Sequence, residues 1–222
     1  MLKIFCEGIG DQVFIADFIE AQFPITFDRI QEANGAKSLL IRNNEIEIIP
    51  IDGCKKINNL VVKQLFTNNT ELGGKNLLIF DADYTGINGN NGFGNCNNTI
   101  ENLKKHEKYP IDFFHFLWPD NTNDGLFENL LEKIIPSEKL SVIHCIESNI
   151  TCLTALSAQH PIKVPGIKEK INAYLHLFSQ STKLIDRRYN SNFWHLDPTI
   201  CTELQIFKEF LSTHLNIGTS KA

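Results

Sequence analysis

A short apolar run that ends abruptly in acidic residues constrains the fold of this chain more than any other stretch. The run Leu77–Phe80 has no polar interruption, and Asp81 and Asp83 follow it. A continuous apolar run of this length is typical of a strand buried on both faces, as in a parallel sheet. Ligands of open α/β sheets bind outside the carboxyl ends of strands, so the two aspartates are predicted to border a crevice. The alternative is a solvated turn.

A second acidic group follows the first predicted strand. Leu2–Cys6 reads as a strand, Glu7 and Gly8 come next at an expected tight turn, and Asp11–Glu20 has the spacing of a helix with one apolar face. If this strand lies beside the one that ends in Asp81, the two ends are about 5 Å apart. Carboxylates that close raise each other's pKa, and a hard cation such as Mg²⁺ would relieve the repulsion.

The rest of the chain completes an α/β pattern. Strands alternate with helices over the first ~85 residues, which predicts parallel βαβ units with right-handed crossovers. We therefore expect one domain over 1–222, with a mostly parallel sheet flanked by helices and a helical C-terminal third. The further predicted elements are extended segments at 39–41 and 45–51 around a turn at 43–44, a strand at 111–118, and helices at 57–66, 99–106, 126–135, 137–160, 166–178 and 202–215.

The stretch 86–98 follows the two aspartates and contains four Gly and six Asn. These residues favour turns and have a high conformational entropy, which predicts a loop. Two interpretations stay open: a lid that contacts substrate, or an Asn-rich surface insertion. Its glycines match no nucleotide-binding fingerprint.

Composition narrows the range of partners and compartments. The net charge of −5 differs from the positive charge that is typical of a stand-alone nucleic-acid-binding protein. Any affinity for DNA or RNA is therefore expected to be weak. The six cysteines form no CxxC pair, which favours free thiols in a reducing compartment and a cytoplasmic location. No apolar run approaches the ~20 residues of a membrane span, so no membrane contact is expected.

The order of these motifs resembles the Toprim superfamily, which includes topoisomerase and primase catalytic domains and OLD-family nucleases. The matching residues are Glu7-Gly8-Ile9-Gly10-Asp11 and Asp81-Ala82-Asp83, each at a predicted strand end. The likeness covers about the first 120 residues and is greatest to small stand-alone Toprim-related, OLD-nuclease-like bacterial proteins. It implies a Toprim-like (Rossmann-like) core over 1–135 and a mainly helical extension over 136–222. It also implies that Glu128, on the helix after the fourth strand, borders the crevice.

This resemblance implies phosphodiester chemistry on DNA or RNA that depends on Mg²⁺ or Mn²⁺. Glu7 would act as general base or metal ligand, and Asp81 and Asp83 would be the principal ligands. Asp11 and Glu128 would hold a second ion or orient waters. A protein partner and the oligomeric state are left open.

Two other functions fit the same residues. One is a non-catalytic Toprim-like interaction module that keeps the acidic crevice. The other is a phosphatase of the haloacid-dehalogenase type, in which Asp81 would be the nucleophile and Asp83 the acid/base. That family needs a later acidic pair, for which Asp120 and Asp124 come too soon, and its motif normally lies on the first strand.

Overall fold

Six strands form one sheet in the computed structural model, which describes residues 1–31, 39–53, 56–57, 59–86, 92–105, 112–178, 188–190 and 192–215. Within that part of the chain the spatial order is β2-β3-β4-β1-β5-β6. The strands are β1 (Leu2–Cys6), β2 (Asp28–Gln31), β3 (Leu39–Arg42), β4 (Ile46–Pro50), β5 (Lys75–Asp81) and β6 (Phe114–Trp118).

Helices cover both faces of this sheet. Side chains of one face, including Ile4 and Ile79, share a core with five of the helices, whereas Phe5 and Leu78 point to a second core formed with the other two. The fold is therefore α/β, as the alternation of elements predicts. The helices are α1 (Ile9–Gln22), α2 (Leu60–Glu71), α3 (Gly92–Lys104), α4 (Phe127–Lys133), α5 (Leu140–Ser157), α6 (Ile167–Leu177) and α7 (Thr202–His214); a 3-10 turn, Ser137–Lys139, precedes α5.

Four neighbouring strands of the sheet, β4, β1, β5 and β6, run parallel to one another. Their carboxyl ends therefore lie at one edge of the sheet. The continuous apolar run of β5 is buried from Asn76 to Phe80, as expected for a strand covered on both faces. This arrangement carries the acidic residues that follow β1 and β5 to a common edge.

The other side of the sheet is antiparallel. β3 pairs with β2 and with β4. The Asn43 side chain stabilises the predicted turn between β3 and β4 by accepting hydrogen bonds from the backbone of Glu45 and Ile46, at 2.9 and 2.7 Å. β2 lies in a stretch where the sequence shows no strand pattern.

Three helices differ from their predicted form. α1 is buried on all sides from Asp11 to Ile19, because it lies between the sheet and the C-terminal helices, so the expectation of one apolar face is wrong. α2 begins at Leu60, where the Asn59 side chain accepts a hydrogen bond from Val61 N, rather than at 57. α3 begins at Gly92, inside the stretch predicted as a loop. Residues 87–91 of that stretch lie outside the described residues.

One helical stretch has the length and composition of a membrane span, which the sequence was not expected to contain. Ser137–Ser157 is long and apolar enough to cross a membrane by length and composition alone, and only 6% of its most apolar 18-residue window is buried. Ile143 and Ile146 of α5 pack into the core, which makes the helix part of the fold. The expectation that no apolar run approaches this length is therefore wrong.

Candidate acidic site

Glu7 and Asp81 leave neighbouring parallel strands at the same edge. Cys6 lies opposite Ile79 in the register of β1 and β5, and Asp81 is the last residue of β5. The backbone of Glu7 is held by a 2.9 Å hydrogen bond from Asp52 N to its carbonyl oxygen. The predicted adjacency of these two strand ends is therefore present in the structure.

Asp83 lies two residues farther along, where the chain turns. Its φ is +59°, in the left-handed region, which Asp tolerates better than most side chains. Its carbonyl oxygen accepts a 3.0 Å hydrogen bond from Gly125 N, so the segment after β5 is joined to the segment before α4. The charge of Asp83 acts on the Glu7 carboxyl, which places Asp83 within the same group of acidic residues.

Asp11 enters the crevice from the first turn of α1. It is 9% exposed, and its Oδ1 accepts a 3.2 Å hydrogen bond from the Trp118 indole N–H. Burial, with the charges of Glu7 and Glu128, raises the pKa of Asp11 to about 7. The chain bends at Glu7 and Gly8 between β1 and α1, as expected, although the extended backbone of Gly8 is one that any residue can adopt.

Glu128 completes the acidic group from α4, and a lysine meets it there. The Lys168 ammonium, from the first turn of α6, lies 3.5 Å from Asp81 Oδ2 and 3.9 Å from Glu128 Oε2. Glu128 Oε2 is buried and accepts no hydrogen bond from the residues that the structure describes. A buried carboxylate oxygen without a partner is costly, and a cation in the crevice would satisfy it.

The pKa values reflect this crowding. Burial, followed by the charges of Asp11 and Glu7, raises the pKa of Asp81 well above its usual value. Burial also raises the pKa of Glu7, which the Lys168 charge and a hydrogen bond from the Asp81 backbone partly oppose. Burial alone lowers the pKa of Lys168, but the charges of Asp81, Glu128 and Glu7 outweigh it and raise that pKa.

The oxygen-only donor set suits a hard divalent cation, although the side chains are not arranged around one. No group of three or more His, Cys, Asp or Glu side chains in the described part of the chain is placed to hold a metal ion. Other hydrogen bonds occupy several of the oxygens: Asp81 Oδ1 accepts from Phe127 N at 2.7 Å, and Asp11 Oδ1 from Trp118. The orphaned Glu128 oxygen is the atom that best fits an added cation.

Asp120 and Asp124, the acidic pair of the phosphatase alternative, both hold the backbone in place. Asp120 Oδ1 accepts hydrogen bonds from the backbone of Thr122 and Asn123. Asp124 accepts from Thr85, through both its backbone and its hydroxyl, and from Phe93 N at the start of α3. These bonds lower the pKa of both carboxyls.

Lys168 is the charged residue at this site that the sequence did not indicate. It lies 87 positions after Asp81, in the run Lys168-Glu169-Lys170 on a helix of the C-terminal third. Its two charged neighbours form pairs elsewhere, Glu169 with Lys163 and Lys170 with Glu132 and Glu147. Only the packing of α6 against α4 distinguishes Lys168 from these surface residues.

One family model matches the chain, over residues 2–216, and its description is "Protein of unknown function (DUF3226)". No curated protein and no solved structure matches the chain.

Proposed function

The chain belongs to the DUF3226 family, and we propose that it is a metal-dependent phosphodiesterase that cleaves DNA or RNA at the acidic crevice. The observation that carries this proposal is the convergence of carboxylates from β1, α1, β5 and α4 at the carboxyl edge of the sheet. The order of the motifs, which resembles the Toprim superfamily, supports the same function. A group of buried carboxylates with raised pKa values is typical of functional sites.

The residues divide into ligands and proton-handling groups. Asp81, Asp83 and Glu128 would hold Mg²⁺ or Mn²⁺. When bound, the ion would activate a water and stabilise the negative charge that develops on the phosphoryl group. Glu7 would accept a proton from the attacking water, because burial raises the pKa of its carboxyl and so makes it a stronger base than an ordinary glutamate. Asp11, with a pKa of about 7, would orient water beside Glu7 or contribute to a second ion.

A cleavage assay with matched variants tests the proposal. Purified protein is incubated with single-stranded DNA, double-stranded DNA or RNA, with Mg²⁺, Mn²⁺ or chelator, at low salt because the net charge of −5 predicts weak binding. Asp81→Asn and Asp83→Asn should each abolish cleavage. Asp52→Asn is the control, since Asp52 lies at the same sheet edge but pairs with Lys56 at 2.6 Å. Absence of cleavage and of metal binding would overturn the proposal.

A second candidate is a non-catalytic interaction module. The position of Lys168 favours it, because the ammonium offsets the acidic charge without any metal. Such a module would cleave no nucleic acid, whereas a metal ion that binds the folded state would still raise its melting temperature. We also propose a cytoplasmic location, which the free thiols of Cys6, Cys145, Cys152 and Cys201 support.

A further inference from the structure

We infer that Lys168 is a tethered counter-cation of the acidic crevice, and that a divalent ion binds strongly only after its ammonium withdraws. The inference rests on the proposed function, because it concerns the metal that this function requires. It assigns a regulatory role to a helix that lies outside the strands and helices carrying the acidic residues.

The contacts of the Lys168 ammonium with the two carboxylates are long, so another cation could replace it. Charge-assisted N–H···O bonds are ordinarily about 2.7–2.9 Å long. Lys168 Nζ lies at 3.5 Å from Asp81 Oδ2 and at 3.9 Å from Glu128 Oε2, so it is shared between two carboxylates without a short bond to either. The two acids are mostly buried, at 7% and 19% side-chain exposure, whereas the lysine side chain is 52% exposed. The lysine side chain therefore has the greatest access to solvent of the three.

A divalent ion and this ammonium would compete for the same oxygens. Mg²⁺ binds carboxylate oxygens at about 2.0–2.1 Å, which would bring it close to Lys168 Nζ. Like charges at such a distance repel strongly in a partly buried site. Lys168 Nζ lies 3.9 Å from Glu128 Oε2, beyond hydrogen-bond distance, and no other donor among the described residues reaches this buried oxygen. The ammonium therefore does not fully replace an ion.

The helix that carries the lysine can stay in place while the side chain moves. Ile171, Tyr174 and Leu175 anchor α6 in the core. Lys170, on the same helix, pairs with Glu132 of α4 and with Glu147 of α5. Withdrawal is therefore a rotation of one long side chain, and its cost is small compared with undocking the helix.

The affinity of the protein for Mn²⁺ directly tests whether the Lys168 ammonium competes with a divalent ion. Mn²⁺ binding is measured by calorimetry and by loss of the free-ion electron paramagnetic resonance signal for the wild type, Lys168→Met and Lys163→Met. Lys163→Met is the matched control: it changes the net charge equally, but Lys163 pairs with Glu169 away from the crevice. Lys168→Met should bind Mn²⁺ about tenfold more tightly than the wild type, because one nearby positive charge is removed. Lys163→Met should bind like the wild type.

The outcomes separate the two proposals. Equal or weaker binding by Lys168→Met would overturn the inference and leave the proposed function standing. No Mn²⁺ binding by any of the three proteins would overturn the proposed function, and the inference with it.

Chemical labelling reports the ammonium itself. The wild type is treated briefly with an amine acetylating reagent, with and without saturating Mg²⁺, and acetylation of Lys168 and Lys163 is followed by peptide mass. Mg²⁺ should accelerate acetylation of Lys168 several-fold and leave Lys163 unchanged, because the displaced amine loses its acidic partners. An unchanged rate at Lys168 under conditions where Mg²⁺ is bound would contradict the inference.

Discussion

The indole N–H of Trp118, at the end of β6, donates a 3.2 Å hydrogen bond to the carboxylate of Asp11 in the first turn of α1. Trp118 is fully buried. A buried carboxylate needs such donors because its desolvation is costly. This bond therefore fixes where Asp11 enters the crevice and ties the last strand of the sheet to its first helix.

Replacing Trp118 should lower the free energy of unfolding more than replacing a buried tryptophan whose indole makes no such bond. Trp118→Phe should lower the free energy of unfolding by about 1–3 kcal/mol more than Trp194→Phe, since it leaves a buried charged acceptor short of a donor. Trp194 is equally buried, and its Nε1 has no hydrogen-bond partner in the described part of the chain. Urea unfolding of the two variants checks this, and equal losses would show that the bond to Asp11 contributes nothing.

Neutralising Asp81 should not destabilise the metal-free protein. In chelator at pH 8, Asp81→Asn should melt at the wild-type temperature or up to about 3 °C higher. The amide keeps an oxygen for Phe127 N but is not repelled by Asp11, Glu7 and Glu128. The contrasting variant is Asp17→Asn, which should lower the melting temperature because it weakens the 2.7 Å ion pair with partly buried Arg29. A large loss in Asp81→Asn would mean that its bond to Lys168 outweighs the repulsion.

Asp124 is predicted to act on stability and not on chemistry. Asp124→Ala removes the acceptor that joins Thr85 to the start of α3, and should cost about 0.5–2 kcal/mol of unfolding free energy. Metal-dependent cleavage of nucleic acid should stay within twofold of the wild type at a temperature where the variant is folded. Loss of turnover with retained folding, on a small phosphate ester, would instead favour the phosphatase alternative.

His115 should make stability depend on pH. Burial, with the Lys104 charge, lowers the pKa of His115, whose Nε2 lies 2.7 Å from Asn97 Oδ1. Because the folded pKa lies below the unfolded value of about 6.5, the unfolded chain binds more protons in this range. At pH values above the unfolded pKa, neutral His115 makes its full contribution to the free energy of unfolding. That contribution decreases as the pH falls from the unfolded pKa to the lower folded pKa. The stability difference between wild type and His115→Gln should shrink from pH 8 to pH 5, by at most about 1.4 kcal/mol per pH unit. A constant difference would contradict this.

The sequence predicts the elements that carry strong apolar patterns. β5 has a continuous apolar run, and the apolar runs of β1 and β6 are each interrupted by one residue, Lys3 or His115. The burial of 4–6, 77–80 and 116–118 follows from these patterns. β2 was not recognised because Asp28–Gln31 contains a single apolar residue, Ile30, and is held as a strand by pairing with β3. Similarly, α3 starts among Gly and Asn residues because Asp124, distant in sequence, accepts the Phe93 N–H at its first turn.

The acidic residues of the site follow from local patterns, whereas their environment does not. Glu7, Asp81 and Asp83 stand directly after apolar strands, so the sheet edge that they share can be inferred. The order of the strands, which makes β1 and β5 neighbours, depends on packing of the whole domain. The Trp118 donor and the Lys168 ammonium reach the crevice only through such packing, and no spacing rule relates them to Glu7.

The burial of α1 on all sides links the chemistry of the crevice to the cooperativity of folding. Asp11 belongs to a helix whose residues 11–19 are all buried, so it cannot move away from Glu7 unless the core opens. Amide hydrogens in such a helix exchange mainly through global unfolding, with little contribution from local opening. A molecule in which α1 is unfolded would consequently lack Asp11 at the acidic site. Ligand binding at the crevice would then stabilise the folded state against every opening that exposes α1. The equilibrium constants of all such openings would decrease by the same factor.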